Sequence, residues 1–162
     1  MRARLALQAA AQAVEHREIA LKDKPAEMLR ASPKGTVPVL VLADGTVLEQ
    51  SLDIMRWALG RSDPQGWLGV DEAGQEHAWS LIAQNDGDFK LHLDRYKYPH
   101  RYGLADGVAH RDMARGFLHL LQDRLAQHGF LAGARFGLAD AAIAPFVRQF
   151  AHTDPVWFAA QP

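Results

Sequence analysis

The 162-residue sequence is 48% hydrophobic and 23% charged, a balance that suits one large domain or two small ones with a sizeable core. Eighteen basic against nineteen acidic residues leave a formal charge of −1, so no field draws in a phosphate backbone or an anionic membrane, and nucleic acid and membrane are disfavoured as partners. The absence of cysteine excludes a disulfide framework, a thiolate metal site and a cysteine nucleophile within these residues, and no apolar run approaches the roughly 20 residues of a membrane-spanning helix, so the chain reads as soluble.

Residues 1–14 superficially match a signal peptide, with two arginines, a short apolar stretch and Ala11-Gln12-Ala13 as a cleavage site. Gln8 and Gln12 interrupt that stretch, and its alanines and leucines favour a buried helix, the first of the fold. Residues 15–21 alternate as a short strand would. Pro25 suits a first helical turn, which predicts a short helix over 26–31. Ser32-Pro33-Lys34-Gly35 is a turn cluster, and residues 36–42 are β-branched and apolar on both faces, as in a strand covered on two sides. Asp44-Gly45 signals a tight hairpin with a returning strand over 46–49. From Ser51 the period changes, with Leu52, Met55 and Leu59 on one helical face, and Gly60 ends that helix. The first third thus reads as α/β, a sheet covered by helices.

Pro64, Gly66 and Gly69 give the next stretch the composition of a linker. Strand signals stop there. One long helix is expected over 71–96 and another over 109–127, where Phe117, Leu118, Leu121 and Leu125 recur with helical spacing. A third runs from Leu138 through Phe150, with Pro145 inside it predicting a kink, and Asp154-Pro155 opens a last one. The domain plan is 1–61, a linker over 62–70, and an all-helical domain over 71–162.

Pro38 is the most informative residue, because proline inside an apolar strand removes a ladder hydrogen bond. A cis Val37-Pro38 peptide, which turns the backbone of Val37 outward toward an extended ligand, and a trans proline on an edge strand are both open on this feature alone. The surrounding residues decide between them. Lys24-Pro25, then Ser32-Pro33-Lys34-Gly35-Thr36-Val37-Pro38-Val39-Leu40, Asp44-Gly45 and Gln50-Ser51-Leu52-Asp53-Ile54 follow the order and spacing of the glutathione transferases, which the chain resembles over nearly its whole length. The lysine before Pro25 looks most like the omega-type and related bacterial members. The resemblance implies a thioredoxin-like N-terminal domain followed by a helical-bundle C-terminal domain, a homodimer with Met55, Arg56 or Trp57 at its interface, and a cytoplasmic location.

It also implies a set of site residues. Val37 would pair its backbone N–H and C=O with the cysteinyl part of glutathione, with Pro38 cis. Gln50 and Ser51 would take the γ-glutamyl end, Ser51 at a helix N-terminus that favours a carboxylate. Many family members have Glu where Gln50 stands, so a charge contact is replaced here by a neutral hydrogen bond. Lys24 would pair with the glycyl carboxylate. Taken alone, Ser51 is an ordinary N-cap and Lys24 or Lys34 a solvated charge; the joint spacing lifts them above that.

The family's thiol-activating residue lies at the end of the first strand or the entry to the first helix. Residues 1–5 look like the body of that helix, so the first strand and the activating residue are expected before Met1, in a chain cut at both ends, and the catalytic residue is unknown. A second substrate is expected between the domains, lined by Tyr96, Tyr98 and Tyr102 in the basic, aromatic stretch 95–102, which equally reads as a covering for a helix end. The eight histidines, His92 and His100 among them, lack the spacing of a helical zinc site, so no metal is expected. Asp140 reads as a capping residue without the usual Ser or Thr, since Gly137 stands in its place. The function implied is transfer of glutathione, a co-substrate, to a small electrophile or its removal from a thiol-containing substrate; the alternative is a non-catalytic binding or protein-interaction module of the same fold.

Overall fold

A computed structural model describes residues 1–69 and 71–161; Val70, the last residue of the expected linker, and Pro162 lie outside the described residues. The chain divides into two compact units, Met1–Gly66 and Trp67–Pro162.

The first unit is built on helix against helix. Helix α1 (Arg2–Ala9) buries Ala3, Ala6 and Ala9, a stripe of small side chains that lets its axis come close to α3 (Ser51–Arg61), which buries Ile54, Met55, Ala58 and Leu59 in return. Met55 is wholly buried in this contact, so it is a core residue of one chain and not the subunit-face residue that the resemblance implied. Helix α1 stops earlier than residues 1–14 suggested, at a turn where Ala11 takes φ 50°.

Between them, α2 (Ala26–Ala31) follows Pro25 over the expected residues. The hairpin is shorter than the sequence suggested. Only β1 (Leu40–Val41) and β2 (Val47–Leu48) pair, antiparallel, with Leu40 opposite Leu48 and Val41 opposite Val47. Gly45 at φ 86° closes the turn, and Asp44 accepts the Thr46 N–H at 2.9 Å. Residues 36–42 are not a strand covered on two sides: Val37 and Val41 are 49% and 54% exposed. Nor do residues 15–21 form a strand. Their backbone finds no ladder among the described residues beyond one bridge, Ala20 to Asp23, while Glu15, Arg17 and Glu18 make charged contacts with one another and with Arg4 and Glu27 in solvent.

The regular structure of the second unit is helical among the described residues, apart from one isolated bridge, Phe130 to Gly133. Helix α4 (Glu72–Gln84), capped by the Asp71 carboxylate on the Gly74 N–H, runs through a π turn (Asn85–Phe89) into α5 (Lys90–Lys97). The buried residues Leu81, Asn85, Phe89 and Leu93 recur every fourth position, overrunning a turn of about 3.6 residues by roughly 40° a step. The wide turn absorbs about one residue and brings Leu93 back to the face of Leu81, which is why one continuous helix could be read from the pattern. A 3₁₀ turn (Pro99–Tyr102) leads to α6 (Val108–His128). Gly107, before α6, has no room for a side chain, because a Cβ there would lie 2.5 Å from the Tyr96 carbonyl oxygen. Helix α7 (Leu138–Ala151) continues through Pro145, and α8 (Pro155–Ala159) is capped by Asp154 on the Trp157 N–H at 3.0 Å. Phe89, Leu93, Tyr96, Ala114 and Phe150 form one core cluster of this unit. No described helix is long and apolar enough to cross a membrane.

Candidate functional site

The sequence-predicted residues of the first unit are assembled by two short-range devices. One is Glu49, at the end of the hairpin. Its carboxylate accepts the hydroxyl of the fully buried Ser32 at 2.5 Å and the Lys34 ammonium at 2.9 Å, tying the 32–35 turn to the residue before Gln50. The Ser32 hydroxyl first, and the Lys34 ammonium after it, hold the Glu49 carboxyl below its ordinary range. The other is Lys24, whose Nζ would lie 3.4 Å from a Cβ on Gly35. Lys24, the exposed Val37 and the Gln50–Ser51 step are thus linked through one turn. The Val37-Pro38 peptide is cis.

At the start of α3 the N-cap is Gln50, at φ −108° and ψ 135°, and Ser51 is the first helical residue instead of the cap that its type suggested. Arg2, 8% exposed, donates from Nε to the Ser51 Oγ at 2.9 Å. A hydroxyl that accepts from a guanidinium still has its own proton to give. The free N–H groups of the first turn, the nearby guanidinium and that hydroxyl make the α3 N-terminus a place for a carboxylate. Sequence reasoning missed Arg2 and Glu49. Arg2 had a readable signal, since it shares the spacing of Ala6 and Ala9 on the buried face of α1.

In the second unit the three tyrosines separate. Tyr96 belongs to the core, its ring centroid 4.9 Å from that of Phe150, and its hydroxyl, buried without a partner among the described residues, is pushed up in pKa chiefly by burial. Tyr98 and Tyr102 stand on the surface under cations: Arg101 lies 4.2 Å over Tyr98 and Arg95 4.8 Å over Tyr102. No cluster of three or more metal-ligating side chains occurs among the described residues.

A histidine pair went unseen in the sequence. His92 of α5 and His110 of α6 meet Nδ1 to Nδ1 at 2.8 Å, which requires one ring to donate and the other to accept. Burial first, then the charges of His92 and Arg95, lowers the His110 pKa. Both rings are in place and His110 neutral above the unfolded value of about 6.5, where the contact contributes in full. As pH falls below it, the unfolded chain takes up the proton first, and the contribution is lost through the folded midpoint. Thermal denaturation at pH 7 and pH 5 is expected to show a drop that His110→Gln flattens; an equal drop in the variant contradicts this.

Comparison with known proteins agrees with this architecture. Residues 1–66 match the glutathione S-transferase N-terminal domain and residues 83–160 the glutathione S-transferase C-terminal domain. No curated protein matches the chain. Among solved structures, a glutathione S-transferase from Rhodospirillum rubrum superposes with a TM-score of 0.76 at 23% identity, over 94% of this chain and 73% of that one. A glutathione S-transferase domain-containing protein from Marinobacter aquaeolei gives 0.75 at 21%, over 99% and 92%. A glutathione transferase homologue from Sulfitobacter, solved with bound glutathione, gives 0.71 at 16%, over 94% and 78%. At these identities the structures attest the fold, a thioredoxin-like N-terminal domain and a helical C-terminal one, and the two domain matches attest the kinship: this chain belongs to the glutathione S-transferase family.

Proposed function

We propose that the chain binds glutathione along the edge formed by Lys24, Val37, Pro38, Gln50 and Ser51, and hands it to, or takes it from, a small electrophilic or thiol-containing substrate. The observation that carries this reading is the joining of the 24, 32–37 and 49–51 segments by Glu49 and Lys24 in one unit. The γ-glutamyl carboxylate sits at the α3 N-terminus and accepts the Ser51 hydroxyl proton, with Arg2 setting the direction of that hydroxyl. Gln50 offers a neutral amide to the same end of the tripeptide. The exposed Val37 backbone pairs with the cysteinyl amides, and Lys24 faces the glycyl carboxylate.

For the second substrate, Tyr98 and Tyr102 offer ring faces, and Arg95 and Arg101 offer charge to an anionic group. Tyr96 supports this segment from the core. The chemistry asked of the site is ordinary: glutathione attacks as the thiolate, so whatever lowers the thiol pKa raises the rate.

Gln50→Ala and Ser51→Ala are each expected to weaken glutathione binding by about 1–3 kcal/mol, the cost of removing one partner of a charged group. Isothermal titration with reduced glutathione checks this, and unchanged affinity in both variants removes the site. Turnover of a chromogenic aromatic halide or a mixed disulfide by the same preparation distinguishes the enzyme from a binding module, which would bind glutathione and turn over neither.

A further inference from the structure

The contact between α5 and α6 holds two imidazoles that the proposed function does not use. His92 and His110 are both half-buried and meet Nδ1 to Nδ1 at 2.8 Å. The histidine spacing predicts no zinc site on one helix, but this pair spans two helices and lies 18 residues apart in sequence. We propose that His92, His110 and Met113 hold one soft monovalent metal ion, Cu(I), at this contact.

Three observations carry the assignment. The first is that the two nitrogens converge and stand on rigid elements. Leu93, beside His92, and Ala114, one turn after His110, belong to the same core cluster. Gly107 brings the start of α6 so near α5 that a Cβ there would lie 2.5 Å from the Tyr96 carbonyl oxygen. That close approach is about one turn from each histidine, so two ligands are prearranged by the packing. A metal about 2.0 Å from each nitrogen at a trigonal angle needs the pair to part by about 0.7 Å, which side-chain torsions supply. The ring that donates in the hydrogen bond moves its proton from Nδ1 to Nε2, so none is released. Neither Nε2 is buried without a partner, and each can carry that proton.

The second is a thioether at the right step of the helix. Met113 follows His110 by three residues on α6 and is 53% exposed. Helical side chains lean toward the N-terminus, so Met113 leans over the turn that carries His110, and its flexible stem brings the sulfur to the pair.

The third concerns which metal the donors suit. His, Cys, Asp and Glu side chains form no cluster of three or more among the described residues, so a zinc ion would lack the donors of its tetrahedral site. Two imidazoles and a thioether are a soft set that suits Cu(I). The Arg95 guanidinium acts on His110, and a divalent ion would meet twice the repulsion that a monovalent one does.

The test uses the full chain, without oxygen or glutathione, and Cu(I) supplied as its bicinchoninate complex. The chain is expected to withdraw one copper per chain, and Zn(II) at equal concentration is expected not to displace it. His110→Gln keeps a hydrogen-bonding side chain but removes the imidazole, and Met113→Leu keeps the apolar volume but removes the sulfur. Each is expected to weaken Cu(I) binding by about tenfold or more. Circular dichroism checks that both variants fold, and Met113→Leu, at an exposed position of good helix propensity, keeps the test open if His110→Gln does not. Nitrogen-15 resonances of the His92 and His110 rings are expected to shift on addition of copper. Glutathione binding, measured by calorimetry without copper, is expected to be unchanged in both variants, so failure here is distinguishable from failure of the glutathione edge. No withdrawal of copper overturns the proposal, as does tighter binding of Zn(II) than of Cu(I). Copper binding unchanged in His110→Gln overturns it and assigns the metal to other histidines; binding unchanged in Met113→Leu overturns it by denying the thioether a part.

Discussion

Phe150→Ala is expected to cost the helical unit about 3–5 kcal/mol, because the side chain is fully buried and its removal leaves a cavity in the core. The Phe150 ring lies between Phe89 at 5.7 Å and Tyr96 at 4.9 Å, with Trp157 at 6.1 Å and Phe158 at 6.3 Å on its edges. Those neighbours belong to the π turn, α5 and α8, so the ring joins three segments to α7 at once. Its removal loses the transfer free energy of the ring, the aromatic contacts of about 0.5–1.5 kcal/mol each, and the packing around the resulting cavity. Phe150→Leu keeps most of the apolar volume and is expected to lose about 1–2 kcal/mol. Urea denaturation followed by circular dichroism reads both; a loss below about 1 kcal/mol for Phe150→Ala contradicts the packing described.

Asp140→Ala is expected to cost about 2–4 kcal/mol, since two backbone donors lose a charged acceptor. One of them, the Leu131 N–H, is buried, and the other, the Gly137 N–H, begins α7. Gly137 has no side chain to return the bond, so the cap is one-sided and the carboxylate carries it alone. Asp140→Asn tests the charge at constant shape. One carboxylate oxygen becomes an NH₂ group facing an N–H, so the amide variant is expected to recover at most half of the loss. Hydrogen exchange at the Leu131 and Gly137 amides gives the local readout: both are expected to exchange faster in the alanine variant, and unchanged protection contradicts the role.

Much of the helical architecture was legible because its signals are local. The cap at Asp154, the spacing of Phe117, Leu118, Leu121 and Leu125, and the turn residues around Gly35 and Gly45 each act within a few positions of themselves. What was misread depends on partners far along the chain. Residues 15–21 carry alternation, but their charges bond outward to Arg4 and Glu27, and alternation without a neighbouring ladder does not make a strand. Residues 36–42 are apolar enough for a covered strand, yet β1 has only β2 beside it among the described residues. Tyr96 sits in a cluster of surface tyrosines in sequence, and the helical phase set by the π turn sends it inward while Tyr98 and Tyr102 stay out. The bond from Arg2 to Ser51 joins residues 49 apart, a distance over which no periodicity speaks.

The π turn also bears on how the chain tolerates changes in its own length. A wide turn is one residue added to an α-helix without rotating the segments on either side, so Asn85–Phe89 is a place where the helix has already absorbed an insertion. Gly87, the one residue of that turn with non-helical angles, at φ −88° and ψ −106°, is the natural residue to lose. A chain without it would run as plain α-helix from α4 into α5 with Leu81, Asn85, Phe89 and Leu93 still on one face. A relative one residue shorter here therefore needs no compensating change elsewhere in the helical unit, whereas a deletion anywhere else between Glu72 and Lys97 would swing one half of the core out by about 100°.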